Sequence, residues 1–180
     1  MMTDTFAYMK TITSLDLTEL NTSKVKSMYH LFTQCTNLKT IKYGSGWNTE
    51  KVTDMAGLFS GCASIEELDL SKYNTKEVKR MDEMFVNCTS LKKINFGNKF
   101  STSEVKTMKN MFYYCENLES LNLSSFNTSK VEDMYHMFGR MYKIKVLDLS
   151  SFNTQKVKNM GHMFCNTNKI NKIDKHYKFN

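Results

Sequence analysis

The chain has 180 residues, of which 41% are hydrophobic and 12% aromatic, and its formal net charge at pH 7 is +7. This apolar content is enough to bury a core and argues against a disordered chain. The sequence has no run of about 18 apolar residues, which argues against a membrane-spanning helix. Its 25 lysines and arginines are spread through every segment, which argues against charge-driven binding of nucleic acid.

The chain opens with residues 1–17, MMTDTFAYMKTITSLDL, which we interpret as a partial first repeat that ends in a strand. This stretch has neither the basic nor the apolar segment of a secretory leader. For an exported protein, we therefore expect the chain to be an excised piece or its leader to have been removed. The absence of proline argues against a flexible linker, so residues 1–180 are expected to form a single repeat domain.

From about residue 15 to residue 173 the sequence repeats one phrase six times, in forms such as NTSKVKSMYHLF from Asn21 and NTSKVEDMYHMF from Asn127. The copies are 26 or 27 residues apart, which is typical of a solenoid of stacked repeats. Three apolar columns run through all six copies. They are Val25, Val52, Val78, Val105, Val131 and Val157; Met28, Met55, Met81, Met108, Met134 and Met160; and Phe32, Phe59, Phe85, Phe112, Phe138 and Phe164.

Within each copy, apolar residues follow the valine by three, six, seven and ten positions. At about 100° per residue these positions share one face of a helix, so the pattern predicts a short amphipathic helix in every copy. A threonine three residues before each valine predicts the N-cap, because its hydroxyl can accept a hydrogen bond from an unpaired backbone N–H. These threonines are Thr22, Thr49, Thr75, Thr102, Thr128 and Thr154.

Each predicted helix is followed by a segment such as CTSLKKINF, residues 88–96, whose end alternates apolar and polar residues and predicts a short, half-buried strand. One copy cannot bury its own apolar face, so the copies must stack. Stacked strands lie about 4.8 Å apart and packed helices about 8–10 Å apart. The wider helical layer predicts a curved array with parallel strands on the concave side.

The pattern L-x-x-L-x-L followed by F-N-T-S-K-V-x-x-M-x-x-M-F-x-x-C resembles the BspA-like leucine-rich repeats of bacterial surface proteins and lipoproteins, over nearly the whole chain. The resemblance implies a right-handed α/β solenoid of the leucine-rich-repeat type, with about six strand–turn–helix repeats. It also implies display on the cell surface or secretion, with a role in adhesion or host contact, and it supplies no catalytic residues.

We therefore expect a non-enzymatic module that binds a protein or glycan ligand, such as a host or matrix protein. It should need no cofactor or metal, bind no nucleic acid and insert no segment into a membrane. An intracellular, cytoplasmic interaction scaffold is the alternative.

The predicted concave face carries polar residues of mixed charge, a composition suited to many weak contacts with a protein or glycan. The candidate binding residues are Lys42, Asp69, Lys93, Asn95, Asn122 and Asp148. Lys93 and Asn95 lie at the centre of this face. A solvated surface without a ligand has the same composition, and that interpretation stays open.

Four of the five cysteines share a column on the predicted buried face: Cys35, Cys62, Cys88 and Cys115. Adjacent members would be close enough for disulfides or a metal site. Met141 and Thr167 occupy the same column in the last two copies, which favours buried free thiols selected for their volume. Cys165 lies outside the column and is the candidate reactive thiol.

Two further groups have a chemical and a structural interpretation. Glu132, His136 and His162 could present zinc ligands, but they face away from the buried arc, so exposed imidazoles are expected instead. An aromatic column could stack with bases or sugars, but Leu20 holds its place in the first copy, which favours a core position. The column consists of Trp47, Tyr73, Phe100, Phe126 and Phe152.

Two features depart from the simple repeat. One-residue insertions near Gly44–Gly46 and Gly97 fall in every second copy, which indicates a higher-order period of 53 residues. After the last strand, residues 174–180 form a tail with two interpretations: a cap on the end of the stack through Tyr177 and Phe179, or a connection to further chain in the natural protein.

Overall fold

The computed structural model describes residues 1–174 and has no helix in that range, and so none that could cross a membrane. Its strands are β1 (Ser14–Leu17), β2 (Thr40–Tyr43), β3 (Glu67–Asp69), β4 (Lys93–Asn95), β5 (Val146–Asp148) and β6 (Lys172–Asp174). They pair in parallel as β1–β2, β3–β4 and β5–β6. The predicted cap through Tyr177 and Phe179 lies outside the described residues.

The predicted α/β solenoid of strand–turn–helix repeats is wrong, because the phrase that was expected to be helical folds as successive tight turns. In each phrase, alternate N–H groups donate to the carbonyl three residues earlier, as in Leu31 to Met28. In the first five copies, the N–H groups between them donate to the backbone of the next copy. In an α-helix, these N–H groups would instead donate to carbonyls of the same helix. In the first full copy these bonds run from Met28, His30, Phe32 and Gln34 to Asp54, Ala56, Leu58 and Ser60.

The backbone angles of the phrase also exclude a helix. The residues five and nine positions after the valine have a positive φ in all six copies, for example 55° at His30 and 59° at Gln34. This left-handed region is open to glycine and is tolerated best by asparagine, aspartate and histidine among the other residues. Two such residues within five positions turn the chain too sharply for helical hydrogen bonds to form.

In the first five phrases the threonine is a bridge between copies and not a helix N-cap. Thr22 is buried, and its Oγ1 donates to the carbonyl of Asn48 at 2.7 Å and accepts from the N–H of the same residue at 2.6 Å. Four more threonines make the same pair of bonds to the next copy: Thr49, Thr75, Thr102 and Thr128. The threonine hydroxyl thus satisfies both the N–H and the carbonyl of one residue in the next copy, as a backbone partner would.

The apolar columns form the core as predicted, although not by way of a helix. The valines and methionines are buried in the first five copies and partly buried in the sixth. The phenylalanine rings stack from Phe6 to Phe164, with centroids of neighbouring rings 5.4–6.0 Å apart. Because there is no helical layer among residues 1–174, the predicted concave and convex sides lose their basis.

Strand pairing is interrupted where the two longer turns follow β2 and β4. Neither β2 with β3 nor β4 with residues 120–122 forms a ladder, and residues 120–122 form no strand. Both turns need glycine because they cross the preceding copy closely. A Cβ atom on Gly44 would lie 1.9 Å from the carbonyl oxygen of Thr18, and one on Gly97, whose φ is 68°, would lie 2.5 Å from Cα of Ser71.

Candidate interaction surface

The outward side chains of the strands and of residues 120–122 form a polar surface, which we call the strand face. Its members between β2 and β5 are all exposed: Thr40, Lys42, Glu67, Asp69, Lys93, Asn95, Ser120, Asn122, Val146 and Asp148. The six candidate binding residues all lie on this surface. The register of β3 and β4 places Glu67 beside Lys93 and Asp69 beside Asn95.

Four of the six candidate residues have a structural role at the end of a strand segment. The Oδ1 atom of each accepts a hydrogen bond from the backbone N–H two residues later, at 2.9–3.1 Å. They are Asp69, Asn95, Asn122 and Asp148. This turn explains why an aspartate or asparagine recurs at this position without any ligand. The ammonium group of Lys93, in contrast, makes no hydrogen bond or ion pair with a described residue, although its backbone N–H donates to the carbonyl of Glu66.

Ion pairs connect neighbouring copies on the strand side. Lys42 Nζ lies 3.3 Å from Asp16 Oδ2, and Lys92 Nζ lies 2.7 Å from Glu66 Oε2. The hydrogen bond from Lys92 lowers the pKa of Glu66 below its usual value. All four side chains are exposed, so these pairs orient the surface more than they stabilise the fold.

Three grooves follow one another along the strand face where neighbouring segments are unpaired. The first, of about 360 Å³, lies between β2 and β3 and includes Lys72 beside Asp69. The second, of about 290 Å³, lies between β4 and residues 122–125. The third, of about 440 Å³, is lined by Glu119, Ser120, Lys143, Lys145 and Lys169, and we call it the basic groove.

The floor of the first groove is fixed by hydrogen bonds. The hydroxyl groups of Tyr43 and Tyr73 lie 2.8 Å apart, and burial raises the pKa of both phenols, so both stay protonated at neutral pH. Lys72 Nζ donates to the carbonyl oxygens of Tyr43 and Gly44 at 3.0 and 3.3 Å. This lysine therefore closes the gap between β2 and β3 and is not available as an isolated charge.

The four column cysteines are buried free thiols, as predicted: Cys35, Cys62, Cys88 and Cys115. Each Sγ donates to the carbonyl of the stacked phenylalanine in the preceding copy, at 2.9–3.2 Å. Burial raises the pKa of all four thiols. They are protonated core residues at neutral pH. Cys165 is partly exposed, and its reactivity stays a prediction.

The zinc-site interpretation assumed that its candidate ligands lie on predicted helices, and the structure has turns there instead. Glu132 forms an ion pair with the next copy, whereas the ring of His136 stacks on Tyr113 and lies 5.1 Å from the ring of His162. Residues 1–174 contain no cluster of three or more metal-ligating side chains. The expectation of exposed imidazoles is confirmed for His162 but is wrong for His136, which is partly buried.

The aromatic column that could have stacked with bases or sugars is buried, as the core interpretation predicted. Trp47, Tyr73, Phe100, Phe126 and Phe152 all belong to the hydrophobic core. A ligand on the strand face therefore meets polar side chains and backbone, and not an aromatic platform.

Sequence reasoning missed the basic groove. A signal was present in the column twelve residues after the valine, where the first four copies have asparagine or serine and the last two have Lys143 and Lys169. The change of residue type within one column marks a position where the repeat departs from its own pattern.

The stacked turns and the grooved strand face define a repeat protein that offers one long polar surface. A family model described as "Mycoplasma protein of unknown function, DUF285" matches residues 1–98 and 92–180, and the chain belongs to this family. The match agrees with a BspA-related bacterial repeat protein but does not support the leucine-rich-repeat assignment. Comparisons with curated proteins and with solved structures find no match.

Proposed function

We propose that this chain is a non-enzymatic interaction and adhesion module of a bacterial surface protein, which binds a partner through the strand face. One observation carries the proposal. The valine, methionine and phenylalanine columns are largely buried, whereas the first outward position of the strand face differs between copies, as Thr40, Glu67, Lys93, Ser120 and Val146, and the face borders three consecutive grooves. Stacked repeats use extended surfaces of this kind for binding.

The chemistry of the strand face favours a polar partner, either a protein or a glycan of a host surface or matrix. Lysines, carboxylates and asparagines alternate along it, so recognition would sum many weak contacts without a dominant apolar anchor. Charges of this kind contribute more to specificity and association rate than to affinity. Neither a cofactor nor nucleic acid has a part in the proposed activity.

The test of the proposal is capture of matrix and host-surface proteins on the immobilised chain. We expect Lys93→Glu to weaken capture, because Lys93 is exposed at the centre of the strand face. Lys26→Glu is the matched control, since it makes the same charge change at an exposed position of the phrase, away from the strands. Capture of no such protein would contradict the proposed function, and equal capture by both variants would contradict the placement on the strand face.

The proposed location on the cell surface has a separate test, which is the sequence of the coding region upstream of Met1. A leader with a lipid-acceptor cysteine encoded there would support display on the surface. Translation that starts at Met1 would contradict surface display and favour the intracellular scaffold.

A further inference from the structure

The basic groove is the place where the strand side departs most from the repeat. In earlier copies, the column of Lys143 and Lys169 holds neutral residues that bond to the preceding copy. Asn37 Nδ2 donates to the carbonyl of Lys10 at 2.7 Å, and Asn117 Nδ2 donates to that of Thr89 at 2.6 Å. The last two copies replace this bond with two cations in neighbouring rungs, an arrangement that is unfavourable in the absence of an anion.

The basic groove also brings together three lysines without an ion-pair partner among the described residues. Lys143, Lys145 and Lys169 are exposed and form no ion pair within residues 1–174. Four lysines within residues 1–174 form ion pairs between copies, among them Lys130 with Glu104 and Lys158 with Glu132, both at 2.6 Å. The groove has a single carboxylate, Glu119, so its positive charge is not balanced locally.

The backbone beside these lysines is also unmatched. Residues 119–122 form no strand and make no backbone hydrogen bond to the copy on either side within the described chain. An extended peptide supplies alternating donors and acceptors to such a segment, as in strand addition to a sheet edge. A sulfated glycan offers mainly acceptors, so a peptide is the better complement to the backbone and the lysines together.

We propose that the basic groove binds an extended, carboxylate-rich segment of a partner protein. Lys143, Lys145 and Lys169 pair with its carboxylates, and the backbone of residues 119–122 bonds to its main chain. The inference rests on the proposed function, because it specifies the chemistry of a partner for the same strand face.

The experiment measures binding of a fluorescent peptide of alternating glutamate and serine to the intact chain. The test variant carries Lys143→Asn and Lys169→Ser, which restore the residue types of the earlier copies and so preserve the turn. The control variant carries Lys51→Asn and Lys76→Asn, two exposed lysines of the phrase, and has the same net charge. We expect about tenfold weaker binding in the test variant and little change in the control.

Equal weakening in the two variants would show attraction by net charge alone and overturn the inference. Equally tight binding of a glutamine–serine peptide would also overturn it, since the carboxylates would then have no role. Binding of a sulfated glycan that needs Lys143 and Lys169, with no binding of the glutamate peptide, would replace the peptide site with a glycan site. If the chain still captures a matrix protein through Lys93, the proposed function survives each of these failures.

Discussion

The phrase and the strand face belong to the same copies, but their neighbours are attached in different ways. Along the phrase, isolated parallel bridges run without a break from Ser27 to Asn159, and four N–H donors per copy bind the next copy. On the strand face, the ladder is divided into three pairs of strands. Register and stability therefore depend on the phrase, which leaves the strand face free to vary.

The buried ring stack of the phrase should give the largest effect. Phe85 is fully buried, with ring centroids 6.0 Å from Phe59 and 5.4 Å from Phe112. Phe85→Ala should lower the free energy of unfolding by about 3–5 kcal/mol, because it leaves a cavity in the stack. Urea denaturation measures the change. The matched variant Ile94→Ala, at a half-buried position of β4, should cost clearly less, and an equal or larger cost would reverse the comparison.

The threonine bridge should give the next largest effect. In Thr102→Val the shape is kept, but the backbone N–H and carbonyl of Asn127 lose partners at 2.8 and 2.9 Å. We expect a loss of about 1–3 kcal/mol in the free energy of unfolding, measured by thermal or urea denaturation. Thr102→Ser keeps the hydroxyl and should retain most of the stability. A neutral Thr102→Val would show that the bridge contributes nothing.

Substitution of a residue with a positive φ should have a smaller effect on the free energy of unfolding. The sign of that effect distinguishes tight turns from a helix. Glu83 has a φ of 60°. Glu83→Gly should leave the stability unchanged or raise it by up to about 1 kcal/mol, because relief of the left-handed strain offsets the greater freedom of the unfolded chain. In a helix the same change would cost about 1 kcal/mol. A loss of that size in urea denaturation would contradict the turn geometry of the phrase.

The smallest effect depends on pH and on His136. Partial burial, together with the nearby His162, Arg140 and Lys109, lowers the pKa of this imidazole below its usual 6.5. The unfolded chain therefore binds the proton more readily, so the stability contributed by His136 is present above pH 6.5 and is lost as the pH falls through the lowered pKa.

We expect His136→Asn, which places the residue type of Asn110 at an equivalent φ, to lose less stability than the parent chain between pH 7.5 and about pH 5. Urea denaturation at the two pH values measures the difference, and titration of the imidazole by NMR measures its pKa. Identical pH dependence in the two chains would exclude the effect.

The sequence was sufficient to predict the stacking of copies, the buried columns and the positions of β1 to β6, because each depends on spacing alone. It failed on the helix because positions three, six, seven and ten after the valine are buried equally by a run of tight turns. The residue types at His30, Gly57 and Asn110, in the positive-φ column, were the available signal, since such residues favour turns over helices.

The candidate site was predicted only in part. The exposed strand positions were identified correctly, but Asp69 and Asn122 were interpreted as binding groups, whereas each accepts a hydrogen bond that forms the turn after its strand segment. The basic groove was missed because it depends on which segments fail to pair. Alternation of apolar and polar residues predicts a strand at 120–122 as readily as at β4.

The hydrogen bonds of the phrase have a consequence for the length of the molecule. Every junction uses the same four donors and, in five cases, the same threonine hydroxyl, so any internal copy offers the attachment points that any other requires. Gain or loss of a whole copy by recombination would leave the hydrogen bonds at every remaining junction intact. The length of such a protein can thus change in evolution without any change in the contacts between its copies.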